Sequence, residues 1–169
     1  MGNREKAVYL VLKALGVGVD RLRGFDGRRM LQKAIYLLQD GPHRWDFGFH
    51  YNLYLRGPYS PSLADTGYQL LENFAAEEPK LAALSLKDEC IWDIGRIRAA
   101  FESRQGELDP DLLEVAATIR FLCGHTYSYL PAEADRVEHA RDWIRKNKPL
   151  IADHLETALS KLKELEIAV

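Results

Sequence analysis

Hydrophobic and polar positions change their period twice along this chain. From Arg4 to Leu15 the apolar residues Val8, Val11, Leu12 and Leu15 recur at helical spacing, and Gly16 and Gly18 follow as helix-ending residues. Asp26 is placed to cap a second helix, GRRMLQKAIYLLQ, with Leu31, Ala34, Ile35 and Leu38 as its buried stripe and Asp40-Gly41-Pro42 as its stop. The period then falls to two. From Asp46 to Leu55, Phe47, Phe49, Tyr51, Leu53 and Leu55 share one face and Gly48, His50, Asn52 and Tyr54 the other, which predicts a half-buried strand. Gly57-Pro58 breaks this run, Ser60 predicts a side-chain N-cap, and Pro61 suits the first helical position because its missing N–H costs nothing there.

Helical spacing returns with Leu63, Gly67, Leu70, Leu71 and Phe74. AAEEPK reads as a turn, AALSL as a short strand, and LKDECIWDIGRIRAAFESR as a helix with Ile91, Ile94, Ile97, Arg98 and Phe101 along one side. Asp109-Pro110 predicts a cap for DLLEVAATIRFLC, where nine of the twelve residues from Leu112 to Cys123 are apolar. That density exceeds one stripe and predicts a central helix buried all round, ended by Gly124. Two further helices are expected, at about Ala132–Lys146 and Pro149–Glu166. The second carries Ile151, Leu155, Ala158, Leu162, Leu165 and Val169 in a seam too short for an independent coiled coil. The elements add up to a mainly α chain with a minor β element.

Composition narrows the class. With 47% apolar and 28% charged residues, the 169 residues suit one ordinary domain, and no stretch approaches the ~20 apolar residues of a membrane span. Two widely separated cysteines, Cys90 and Cys123, fit reduced thiols better than a bridge, which implies a cytoplasmic location. The net charge of -2 conceals an asymmetry: residues 1–60 carry ten Lys or Arg against five Asp or Glu, and residues 61–169 thirteen against twenty. Such a split marks either a basic surface for an anionic partner or basic helices that face acidic ones.

Chemistry is sparse. The chain has no Gly-rich phosphate loop, no Gly-x-Ser-x-Gly elbow, no Cys-x-x-Cys and no His-Glu-x-x-His. Cys123 and His125 are two ligands without a second pair, so no metal or cofactor is expected. Two surfaces remain. With the apolar stripe of the second helix turned inward, Arg29, Lys33 and Tyr36 are expected on a neighbouring solvated face beside Gln32, with Arg28 and Arg56 adding charge. Arg29→Glu with Lys33→Glu would then abolish partner binding and spare the fold. The uncharged face Ser62, Thr66, Gln69 and Asn73 is the alternative, suited to reading base edges.

MLQKAIYLLQ, the aromatic strand, GPYSPSL, LEVAATIRFL and KPLIADHLETALSKLKEL together resemble the YwgA-like family of small prokaryotic proteins. The Leu-Gln-Lys helix and the Gly-Pro turn resemble, more distantly, the Panacea antitoxin domain. The shared positions are Leu31, Gln32, Lys33, Gly57, Pro58, Tyr59 and Ser60. The resemblance implies a winged-helix-like part over residues 1–93, a helical half over 94–169, no catalytic residue, and a regulatory role. The expectation is therefore a non-catalytic module that binds a protein partner, antitoxin-like or by self-association. Winged-helix-type nucleic-acid binding is the alternative, and an enzyme of unrecognised type comes third. Against DNA, residues 61–79 contain no Lys or Arg, and the expected wing carries Glu77, Glu78, Asp88 and Glu89.

Overall fold

The computed structural model describes residues 1–43 and 45–169. Among these it forms seven α-helices and one two-stranded hairpin: α1 (Asn3–Ala14), α2 (Phe25–Gln39), β1 (Asn52–Tyr54), β2 (Gly57–Tyr59), α3 (Pro61–Ala82), α4 (Asp88–Phe101), α5 (Pro110–Phe121), α6 (Glu133–Asn147) and α7 (Leu155–Glu164). The chain is thus mainly α with a minor β element. Among the described residues, no helix is long and apolar enough to cross a membrane. Cys90 and Cys123 are free thiols.

Helix α5 is the central helix that its composition demands, with Leu112–Ile119 buried without interruption and Asp109 accepting from the N–H groups of Asp111 and Leu112. A second central helix lies against it. From Arg29 to Leu38 every residue of α2 is buried, although hydrophobic spacing assigns it only one stripe. Apolar side chains from α1 through to Ile167 join a single buried cluster around this pair. The seam Ile151, Leu155, Ala158, Leu162 and Leu165 turns into it from the C-terminal end.

The β element is smaller than its pattern. Only Asn52, Leu53 and Tyr54 pair, antiparallel to Tyr59, Pro58 and Gly57, and Leu55-Arg56 forms the tip. The alternation holds upstream, where Phe49 is buried between exposed Gly48 and His50, but among the described residues no strand lies beside it there. Instead the side chain of Gln39 pairs with the backbone of Phe49, donating to its C=O at 2.6 Å and accepting from its N–H at 3.2 Å. A helix amide takes the place of a ladder partner.

Other expectations shift locally. Asp26 lies inside the first turn of α2, and Gly24 is the N-cap. Ser60 precedes α3, yet its Oγ meets Ser62 Oγ at 3.0 Å rather than a first-turn N–H. Residues 75–80 continue α3 through Pro79, because burial of Leu81 holds the last turn and offsets the backbone bond that proline removes. Glu77 and Glu78 are therefore helical, as are Asp88 and Glu89 at the start of α4, and the hairpin stands between α2 and α3. The segment expected as a strand at Ala82–Leu86 is irregular beyond the end of α3. Gly124 does not stop α5, which continues as a wide π turn over Leu122–Thr126 with Leu122 and Cys123 buried. The last predicted helix divides into a 3-10 segment, Pro149–His154, and α7.

Candidate binding site

The two motifs that stand 24 positions apart in sequence, Leu31-Gln32-Lys33 and Gly57-Pro58-Tyr59-Ser60, meet face to face. Gln32 repeats the device of Gln39, two helical turns earlier: its Nε2 donates to Ser60 O and its Oε1 accepts from Ser60 N, both at 2.9 Å. Lys33 Nζ donates to Pro58 O at 2.7 Å. On the far side of the hairpin, Lys148 Nζ donates to Leu55 O at 2.7 Å. Gly57 has φ +82°, and a Cβ there would stand 2.6 Å from Thr118 Oγ1, so only glycine lets β2 approach α5 this closely.

Beneath the hairpin the charges form one network centred on Glu114, whose side chain is 1% exposed. Its Oε1 takes Lys148 Nζ, and its Oε2 takes Arg29 Nη1 at 3.0 Å. Arg29 also holds Asp111 at 2.7 Å and Asp26 at 2.9 Å. Burial works against the Arg29 charge, but Glu114 and Asp111 outweigh it and raise its pKa. Among the described residues, Lys33 has no carboxylate in contact. Burial first, and then the charges of Lys148 and Arg29 against the pull of Glu114, push it down to about 7.

Arg29, Gln32, Lys33 and Tyr36 are therefore not on a solvated face. Each is buried, because each meets a polar partner from another part of the chain or, for Tyr36, the Asp40 carboxylate at 2.9 Å. The double change Arg29→Glu with Lys33→Glu would put two carboxylates beside Glu114 and would unfold the chain rather than spare it. Arg28 is half-buried, with Nη1 donating to Leu22 O and Arg23 O, and Arg56 is exposed. On the alternative face, Thr66 is buried and returns its hydroxyl to Ser62 O at 2.8 Å, and Asn73 donates to Gln69 O at 2.8 Å. Two of those four residues are occupied by their own helix, and exposed Asp65 and Glu72 lie among them.

A cavity of about 370 Å³ opens between the N-terminal part of α2, the hairpin and α3. Sequence periodicity gives no hint of it. Phe25, Tyr54, Leu55 and Tyr68 line it and are all exposed, with Leu55 82% accessible at the hairpin tip. Arg29 and Arg56 lie over the Phe25 ring at 5.7 and 5.8 Å, and Arg28 over Tyr68 at 5.9 Å. Four basic side chains, Arg28, Arg29, Lys33 and Arg56, line this cavity, and among the described residues no Asp or Glu does.

A second constellation lies at the start of α4. His43 Nδ1 meets Asp93 Oδ2 at 2.6 Å, Trp45 Nε1 donates to the same oxygen at 3.1 Å, and Cys90 borders the same depression. Partial burial, and next the Glu89 charge, raise the Cys90 pKa, opposite to what an activated nucleophile needs. Among the described residues, no three His, Cys, Asp or Glu side chains are grouped to hold a metal ion. No family model, curated protein or solved structure matches the chain. Of the motif residues, Gln32 and Lys33 are the side chains that fasten the hairpin backbone to α2.

Proposed function

We propose that the chain is a non-catalytic regulatory module that recognises a protein partner at the mouth of the α2–hairpin–α3 cavity. The observation that carries this reading is the exposed rim: three aromatic residues and Leu55 stand clear of the core around a concave opening that has cationic and no anionic side chains among the described residues. Exposed aromatics with arginine beside a pocket have the composition of protein-binding hot spots. The matching segment presents an apolar or aromatic side chain to Phe25, Tyr54 and Tyr68, and an Asp or Glu to Arg56. Selection from a random peptide library displayed on phage tests this directly. The expected outcome is enrichment of apolar residues flanked by acidic ones, with binding lost in Arg56→Glu and in Tyr54→Ala. Unenriched peptides, or binding indifferent to both changes, would refute it. Duplex DNA bound with an affinity that falls steeply with salt would replace it with the nucleic-acid reading.

A further inference from the structure

The rim explains only the mouth of the cavity. Further in are Arg29 and Lys33, 9% and 1% exposed, and both hold hydrogen-bond donors that the fold leaves unused. Of the five guanidinium donors of Arg29, Nη1 serves Asp111 and Glu114 and Nη2 serves Asp26, which leaves a second Nη2 donor uncommitted. An ammonium carries three donors, and Lys33 spends one on Pro58 O. Buried donors in folded proteins are nearly always paired, so unused ones beside an open cavity call for an acceptor from outside. The surroundings favour an anionic acceptor: Glu114 already serves Arg29 and Lys148, and the cavity is lined by Arg28, Arg29, Lys33 and Arg56 and, among the described residues, by no carboxylate.

We infer that the cavity is a binding site for a small amphipathic carboxylic acid, its carboxylate directed inward to Arg29 and Lys33 and its apolar body held between Phe25, Tyr54 and Tyr68. A planar carboxylate can accept from two donors at once, which a hydroxyl or an amide does less well. The volume of about 370 Å³ is larger than a side chain fills and stands at the low end of sites for free ligands, which suits a bicyclic aryl acid or a medium-chain fatty acid. The acid also supplies the counter-charge that Lys33 lacks, since burial and its cationic neighbours hold its pKa down in the empty cavity.

Calorimetric titration of the full chain with 2-naphthoate, 2-naphthamide and decanoate tests the inference. Naphthoate is expected to bind one to one with a dissociation constant of about 1 mM or tighter, and naphthamide at least about tenfold more weakly. Amide resonances of Gly57 and Gly67, on opposite walls, should shift with naphthoate. Ala64→Phe, at a half-buried lining position, should abolish binding with an unchanged circular dichroism spectrum, and Lys33→Met, wherever it folds, should erase the preference for the acid over the amide. Equal affinity for acid and amide in the parent protein, shifts confined to other surfaces, or undiminished binding by a folded Ala64→Phe would overturn it. Peptides selected at the rim together with silent naphthoate titrations would also overturn it while the partner reading stands. Naphthoate binding without peptide selection would do the reverse.

Discussion

Replacing Glu114 by Gln removes the one fully buried carboxylate among the described residues and keeps its shape, which isolates the contribution of charge. The carboxylate answers two cations, Lys148 at one oxygen and Arg29 at the other. Arg29 keeps Asp111 and Asp26 after the change, but Lys148 has no other carboxylate partner among the described residues and is left with the Leu55 carbonyl alone. An amide can offer its oxygen to only one of the two, and its NH2 then points at the other. Removing one partner of a buried pair costs about 3 to 5 kcal/mol, and the partial compensation of Arg29 places this case near the lower bound, ~3 kcal/mol. For a chain of this size each kcal/mol moves Tm by roughly 2 to 4 °C, so the expected fall is about 6 to 12 °C. Urea and thermal unfolding followed by circular dichroism measure it. A second variant separates electrostatics from packing: Glu114→Met combined with Lys148→Met replaces both charges by apolar groups, a change that is often close to neutral, and should recover most of the loss. A Glu114→Gln protein within about 1 kcal/mol of the parent, or a double variant less stable than the single, would refute the assignment of Glu114 as the hub.

Three further outcomes follow from the same contacts. Gln32→Ala should cost about 2 to 4 kcal/mol in urea unfolding, because it strands the N–H and C=O of Ser60 in the core, whereas Ser60→Ala should cost well under 1 kcal/mol, since its hydroxyl caps nothing. Leu162→Ala, at a fully buried position of α7, should cost about 2 to 5 kcal/mol, and a near-neutral result would mean that α7 does not close the core. The pH dependence runs against the usual lysine. With a folded pKa of about 7 against the ordinary lysine value of 10.5, Lys33 binds fewer protons folded than unfolded between those limits. Stability should therefore rise from pH 7 to 9, by up to about 1.4 kcal/mol per unit, and Lys33→Met should flatten the slope. Above pH 9 the raised pKa of Cys123, about 11, works the other way, because the folded thiol then holds a proton that the unfolded one has lost.

What the chain reveals by inspection divides along a physical line. Helices whose burial follows from apolar spacing, such as α1, α5 and the C-terminal seam, are legible because hydrophobicity is a property of each residue. Helix α2 is not, because the burial of Arg29, Gln32 and Lys33 depends on groups 25 to 85 positions away that alone make burial affordable. The strand pattern is likewise right about which side chains turn inward from Phe47 to Leu53, wrong at Leu55, which the hairpin tip exposes, and silent about what its backbone pairs with, since period two is also the period of an extended segment held by helix glutamines. One signal was present and carried more than periodicity could read from it. Leu-Gln-Lys and Gly-Pro-Tyr-Ser attract notice as separate motifs, one as a basic helix face and the other as a turn, although a polar residue in an otherwise buried helix needs a partner and a Gly-Pro turn exposes carbonyls that need donors. In the fold they are two halves of one hydrogen-bond account, Lys33 meeting Pro58 and Gln32 meeting Ser60. With Lys33 taken by that pairing and Arg29 by Asp26, Asp111 and Glu114, the candidate basic residues that remain are Arg28 and Arg56, so the accessible charge belongs at the hairpin mouth rather than along α2.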